Sequence, residues 1–186
     1  RLNIKGENVN LSRSRMYVLN LDELPLNQIV SLDLRHNKLA SLPNFSESNV
    51  KFITRLKLDY NQFTKFPESV FNLQLLETLS MNGNYITYLP KGIKSLCHLE
   101  TLYLSKNPLR CISNEIKYLT RIKDISLDWI AYINFNSPRD NTRVDEENDP
   151  EIWKIFKQVL YYKIDEIVDQ NPNEVNSSHS NINYVS

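Results

Sequence analysis

The sequence contains little glycine and little cysteine, and it has no excess of charge of either sign. Glycine occurs only 3 times in 186 residues, too few for the glycine-rich loops that cradle phosphate groups. The 22 basic and 22 acidic residues cancel, so no net field draws the chain to nucleic acid or to a membrane surface. No apolar run approaches the roughly 18 residues that a membrane-spanning helix needs. These absences argue against nucleotide hydrolysis, nucleic-acid binding and membrane insertion.

The cysteines and histidines are also few, and their spacing does not predict a reactive or metal-binding site. His36, His98 and His179 are far apart in the chain, and no group of residues has the spacing of a zinc site. Cys97 and His98 are adjacent, so we expect their side chains to point in different directions. We predict that Cys97 is buried and acts as a small apolar side chain. The prediction is therefore a chain without catalytic residues, metal or cofactor, although the parent polypeptide could carry a catalytic domain elsewhere.

Against these absences stands one strong pattern, a segment of 11 residues that occurs four times. Each copy fits L-x-x-L-x-L-x-x-N-x-L, and the asparagines are spaced 24, 23 and 23 residues apart. The L-x-L pair places two side chains on the inner face of a short strand, and the asparagine amide can satisfy backbone groups at the bend that follows. Apolar residues at every third position then predict a short helical or 3₁₀ return. The asparagines are Asn37, Asn61, Asn84 and Asn107.

This pattern resembles the leucine-rich repeat family, and within it the intracellular class with 23-residue repeats and an L-P-x-x-I-x-x-L-x-x-L consensus. That class includes Ras-pathway scaffold proteins, Roco-type kinases and plant Ras-group repeat proteins. The resemblance covers Ile29 to about Ile130 and implies an α/β solenoid with a curved parallel sheet on its concave face and helical or 3₁₀ returns on its convex face. Cys111 lacks the partners of the four-cysteine cap of extracellular relatives, which favours a cytoplasmic location. Sequons at Asn10, Asn44 and Asn176 are a weak signal in the other direction.

Outside the repeats the sequence is less regular, and two features remain open. Val18–Leu21 looks like a strand but does not keep the period, so we predict an atypical first repeat or cap. Near the other end, Pro150 opens a predicted C-terminal α-helix that either caps the last turn or docks another protein. The predicted organisation is a cap at 1–28, repeats at 29–133, a polar linker at 134–149, the helix at 150–170 and a polar tail at 171–186.

The outward positions of the strands form the predicted binding site. Tyrosine, tryptophan and arginine dominate many interface energies, and several of them occur at these positions. We predict a non-catalytic scaffold or adaptor that binds a protein partner on its concave face in intracellular signalling. The alternative is a structural subunit docked into a larger assembly through its C-terminal helix and tail. The predicted partner-binding residues are Arg35, His36, Arg55, Lys57, Asp59, Tyr60, Asn82, Tyr103, Lys106, Asp128 and Trp129.

Overall fold

The chain forms a stack of short turns, each of which adds a strand to one parallel sheet. A computed structural model describes residues 7–21, 24, 27–45 and 52–127. Six strands pair in parallel in the order β1-β2-β3-β4-β6-β8, and two shorter strands, β5 and β7, pair beside them. The strands are β1 (Glu7–Asn10), β2 (Ile29–Asp33), β3 (Arg55–Lys57), β4 (Thr78–Ser80), β5 (Tyr88–Leu89), β6 (Thr101–Tyr103), β7 (Cys111–Ile112) and β8 (Asp124–Ser126).

The predicted strand register is confirmed by the pairing of the sheet. Leu32 is paired with Leu56, Leu56 with Leu79, Leu79 with Leu102, and Leu102 with Ile125. The first four are fully buried, and Ile125 is 7% exposed. Burial of one such side chain stabilises the fold by about 1.5–3 kcal/mol. One position of the repeat therefore supplies a continuous row of buried side chains in the core.

The asparagines form the predicted ladder of hydrogen bonds at the bends after the strands. The Nδ2 group of Asn84 donates to the carbonyls of Leu58 and Met81, both at 3.0 Å, and its Oδ1 accepts from the N–H of Phe63 at 3.2 Å. Asn37, Asn61 and Asn107 make the corresponding bonds in their own turns. All four are buried. The ladder satisfies backbone groups that a buried bend would otherwise leave unpaired.

The return segments are 3₁₀ helices, as the apolar spacing predicts. Three of them are described, Glu68–Asn72, Lys91–Ser95 and Asn114–Tyr118. Each directs one apolar side chain into the core, namely Val70, Ile93 and Ile116. The tight 3₁₀ geometry suits these segments because residues three apart fall on the same side. We refer to this side of the molecule as the return side.

The first turn departs from the prediction. Val18–Leu21 is not a strand; Val18 is 76% exposed, whereas Leu19 is buried. The strand is β1, in which Val9 pairs with Leu32, 23 residues further along. Val9, Leu11, Ser14, Met16 and Leu19 therefore occupy the positions of the ordinary repeat, with serine in place of asparagine. The first turn keeps the period but lacks the asparagine that marks it.

The last described turn contains β8, whose position follows from the repeat. Leu127 is 4% exposed and completes the inward pair of this strand with Ile125. The predicted linker, C-terminal α-helix and tail lie outside the described residues, as does Ile130, which replaces the ladder asparagine. Within the part of the chain that the structure describes, no helix is long and apolar enough to cross a membrane.

Candidate functional site

The outward side chains of the strands form a continuous polar surface, which we call the sheet face. Two rows follow from the register, and the residues just after each strand add a third. The first row is Ser31, Arg55, Thr78, Thr101 and Asp124; the second is Asp33, Lys57, Ser80, Tyr103 and Ser126. The third row contains Arg35, Asp59, Asn82 and Ser105. Because neighbouring strands lie about 4.8 Å apart, side chains on successive turns are within reach of one ligand.

Arg35 is held against Asp33 on the sheet face. Its Nη2 lies 2.7 Å from Asp33 Oδ2 and its Nε lies 3.0 Å from both carboxylate oxygens. Burial would raise the pKa of the Asp33 carboxyl, but the hydrogen bonds from Arg35 and the charges of Arg35 and Lys57 outweigh burial and lower this pKa. The hydrogen bond with Asp33 raises the pKa of the Arg35 guanidinium. Arg35 thus stays charged and fixed in direction.

Asp59 lies at a predicted binding position but has little accessible surface. It is 6% exposed, unlike the open side chain that the sequence predicts. Its carboxylate accepts hydrogen bonds from the Ser80 hydroxyl and, at 3.0 Å, from the N–H of Asn82. The Asn82 amide in turn donates to Ser80 Oγ at 3.3 Å. Asp59 therefore links two turns and positions Asn82, rather than offering a free charge to a partner.

Tyr103, on β6, is the aromatic side chain of the second row. Its hydroxyl donates to Asp124 Oδ2 at 2.5 Å. This hydrogen bond, with burial and the charge of Asp124, raises the pKa of the Tyr103 hydroxyl. Asp124 thereby fixes the phenol ring across two strands. Asp124 is not among the site residues predicted from the sequence.

Tyr60 is an exposed aromatic side chain that borders the sheet face. Its ring stacks on His36 with centroids 4.7 Å apart and an interplanar angle of 7°. Lys106 Nζ lies 3.2 Å from the Tyr60 hydroxyl and 5.6 Å from the ring centroid. The ring nevertheless remains 43% exposed. His36, Tyr60 and Lys106, three predicted site residues, thus form one cluster.

Gly83 provides the space that the Tyr60 ring occupies. A Cβ atom at Gly83 would lie 2.6 Å from Tyr60 Cδ1, a distance that real contacts do not reach. The backbone at Gly83 has φ +64°, in the left-handed region where glycine is unstrained. The same region is occupied by His36, Tyr60 and Lys106 at the corresponding turns, with φ between 55° and 58°. The residue before the ladder asparagine therefore has the same left-handed backbone conformation in four turns. Gly83 occupies this position in the turn next to that of Tyr60.

Two of the remaining predicted site residues lie on the strand beside the Arg35–Asp33 pair. Arg55 is exposed and Lys57 is partly exposed, both on β3. Asp128 and Trp129 lie outside the described residues, so their role in binding stays a prediction. Arg13, Arg15 and Lys38, exposed residues beside the Tyr60 cluster, were missed. The period of the repeat, extended one turn toward the N-terminus, is the signal that identifies the first two.

Cys97 and His98 differ from both predictions made for them. Cys97 is exposed rather than buried, and its Sγ lies 3.4 Å from His98 Nδ1 rather than pointing elsewhere. His98 Nδ1 is also 3.0 Å from the carbonyl oxygen of Gln74. A carbonyl only accepts hydrogen bonds, so this nitrogen carries its proton and cannot take one from the thiol. Among the described residues no group of three or more histidine, cysteine or carboxylate side chains could hold a metal ion.

The arrangement defines a repeat solenoid with an ordered polar face, and comparison with known families agrees. The leucine-rich repeat family model matches residues 27–86 and 51–109. Residues 27–109, just under half of the chain, are therefore leucine-rich repeats. Members of the family are generally non-catalytic modules for protein–protein interaction. A search among curated proteins found no match.

Solved structures with the same architecture include proteins of several kinds. The leucine-rich repeat domain of APL1B is 20% identical with a TM-score of 0.51; the match covers 71% of this chain and 44% of that one, and it shows the fold. A leucine-rich repeat protein of Leptospira interrogans is 26% identical over 58% of this chain and 32% of that one, with a TM-score of 0.47. The plant peptide hormone receptor RGFR1, in complex with RGF2, is 23% identical over 59% of this chain and 18% of that one, with a TM-score of 0.48. The chain thus spans less than half of each of these proteins.

Proposed function

We propose that this chain is a protein-recognition module that binds a protein partner through the sheet face, the predicted concave face of the solenoid. The observation that carries the proposal is the Tyr60 cluster. An exposed tyrosine is held in one orientation by His36, by the space above Gly83 and by Lys106. A side chain that is already ordered loses less conformational entropy on binding, so it contributes more to affinity. Tyrosine is also one of the residue types that most often dominate interface energies.

The charges on the sheet face support the same function. Arg55 and Lys57 project from β3 next to the fixed ion pair of Arg35 and Asp33. Thr78 and Asn82 on the neighbouring turn are partly exposed and offer neutral hydrogen-bonding groups. Such a mixture of oriented charge and neutral polar groups provides specificity and steers association more than it adds affinity. The proposed partner therefore contacts β3 and the turns on either side of it.

A pair of matched double variants tests this proposal. Arg55→Glu with Tyr103→Ala changes the sheet face, whereas Lys91→Glu with Tyr118→Ala makes the same kind of change on the return side. Tyr118 is 52% exposed, and Lys91 is exposed as well. Each variant and the unchanged chain are used to capture proteins from extract of the source cells, with quantification by mass spectrometry. A protein retained by the return-side variant and lost by the sheet-face variant is the expected result; equal capture by all three contradicts the proposal.

We further propose that the chain acts in the cytoplasm as a signalling scaffold of the intracellular 23-residue class. The exposed thiol of Cys97 supports a reducing compartment, where free cysteines persist. The sequons at Asn10 and Asn44 offer a direct test, because both side chains are exposed. Protein from the source cells should show no change in electrophoretic mobility after glycosidase treatment. A shift to lower mass would place the chain in the secretory pathway.

A further inference from the structure

A strip of positive charge runs along one edge of the solenoid, beside the sheet face. We call it the turn edge and define it as residues 12–18, 35–41, 59–65, 82–88 and 105–111, which follow successive strands. It carries seven of the basic side chains of a chain whose net charge is zero. Six of the seven are exposed, with Lys106 also in contact with Tyr60, and the seventh, Arg35, is paired with Asp33. The six are Arg13, Arg15, Lys38, Lys65, Lys106 and Arg110.

The turn-edge segments themselves contain little negative charge. Asp59 is the one carboxylate in the turn-edge segments, all of which the structure describes, and it is 6% exposed and bonded to Ser80 and Asn82. Other carboxylates lie elsewhere: Glu77 and Glu100 precede β4 and β6, and Glu115 lies on the return side. Among the described residues, the turn-edge segments therefore carry an excess of exposed positive charge.

Backbone hydrogen bonds stack the five turns, of which all but the turn at 82–88 carry basic residues. Arg13 N donates to Arg35 O at 2.9 Å, His36 N to Asp59 O at 2.9 Å, and the two following turns are bonded in the same way. Successive turns lie about 4.8 Å apart, so the five turns span about 19 Å. Lys38 Nζ is fixed at 2.7 Å from the Tyr17 hydroxyl, as Lys106 is to Tyr60. Partly ordered cations spread over this length match an extended chain that bears negative charges.

We propose that the turn edge binds an extended acidic segment of a protein partner. This inference rests on the proposed function, since the segment would belong to the protein that occupies the sheet face. At about 3.3 Å per residue, roughly six residues of extended peptide cover the strip. Carboxylates suit its arginines, whose planar guanidinium groups pair with two oxygens at once.

The aromatic side chains of the turn edge favour a peptide over single-stranded nucleic acid. Nucleic-acid grooves stack successive bases on free aromatic faces. Here Lys38 lies over the Tyr17 ring at 4.8 Å, and the Tyr60 ring is between His36 and the backbone of Gly83. Tyr85, 59% exposed, is a single platform and does not make a row. The turn edge thus offers positive charge but not a row of free aromatic rings on which successive bases could stack.

The test uses defined probes, so it does not require the natural partner. Fluorescein-labelled peptides of about eight glutamates or eight glutamines, and a thymidylate oligonucleotide of about eight nucleotides, are titrated with the chain while anisotropy is recorded at low salt. The turn-edge variant carries Arg15→Glu, Lys38→Glu and Arg110→Glu. The matched control carries Lys91→Glu, Lys117→Glu and Arg121→Glu on the return side. Circular dichroism verifies that both variants are folded.

We expect the glutamate peptide to bind the unchanged chain more tightly than the glutamine peptide or the oligonucleotide. The turn-edge variant should bind it about tenfold or more weakly, whereas the control should retain most of the affinity, because three lost ion pairs combine. Binding should weaken further when salt shortens the Debye length. Equal losses in both variants, a preference for the oligonucleotide, or failure of the glutamate peptide to bind would each overturn the proposal. None of these outcomes depends on how the sheet-face variants behave, so the proposed function is tested separately.

Discussion

Replacement of a ladder asparagine tests how the turns are held together. In Asn84→Ala, the carbonyl of Leu58 keeps a hydrogen bond from Asn61, and the carbonyl of Met81 keeps one from Asn107. The N–H of Phe63 loses its asparagine partner and remains in a fully buried residue. An orphaned buried donor costs about 1–3 kcal/mol, and the two lost bonds to carbonyls add a smaller amount. We therefore expect Asn84→Ala to lower the free energy of unfolding by about 2–3 kcal/mol.

The measurement is urea unfolding followed by circular dichroism, with Asn44→Ala as the matched control. Asn44 is exposed, and its Oδ1 accepts only from Asn72 in the described hydrogen bonds, at 3.1 Å. Its replacement should change the unfolding free energy by less than about 0.5 kcal/mol. If both variants lost equal stability, the ladder would not be what stabilises the bends, and the argument from orphaned backbone groups would be refuted.

Three further predictions concern the sheet face. Gly83→Ala should destabilise the chain by about 1–2 kcal/mol in urea and displace the Tyr60 ring, visible in its NMR shifts, because φ is +64° and the new methyl overlaps that ring. If the ring shifts do not change, the space above Gly83 does not position Tyr60. The lowered pKa of Asp33 means that its stabilising effect is present above the unfolded pKa of about 3.9 and is lost as pH falls through the folded value. The free energy of unfolding should thus fall more between about pH 5 and pH 2.5 in the unchanged chain than in Asp33→Asn. The extra fall should be less than about 1 kcal/mol, because the Arg35 side chain is 41% exposed; an equal fall in both chains would contradict this. Asp124→Asn should lower the raised pKa of Tyr103 toward its ordinary value, measured by ultraviolet titration against Tyr103→Phe; an unchanged titration would show that Asp124 is not the cause.

The period of the sequence determined the sheet register, the ladder and the 3₁₀ returns, because each depends on residue types at fixed phases. The first turn was misplaced because Ser14 and Val9 stand where the pattern has asparagine and leucine. Leu19 was read as part of a strand, although it corresponds to Leu42 in the next turn, 23 residues later. One missing asparagine was enough to hide a regular turn.

The candidate site was less predictable than the fold. The outward positions follow from the register, but accessibility depends on neighbours: Asp59 is buried by bonds to Ser80 and Asn82, which lie 21 and 23 residues further along the chain. The contact between Cys97 and His98 likewise arises from local backbone direction, which spacing does not encode. The Tyr60 cluster combines three turns, and its dependence on Gly83 appears only when side chains are placed.

Calorimetric titration of the captured partner tests the central claim most directly. The unchanged chain, the sheet-face variant Arg55→Glu with Tyr103→Ala, and the return-side variant Lys91→Glu with Tyr118→Ala are each titrated under the same conditions. Aromatic anchors at interfaces commonly contribute about 2 kcal/mol or more, so the sheet-face variant should bind at least about thirtyfold more weakly. The return-side variant should bind with nearly unchanged affinity. If the sheet-face variant, shown to be folded, binds as tightly as the unchanged chain, the sheet face is not the binding site.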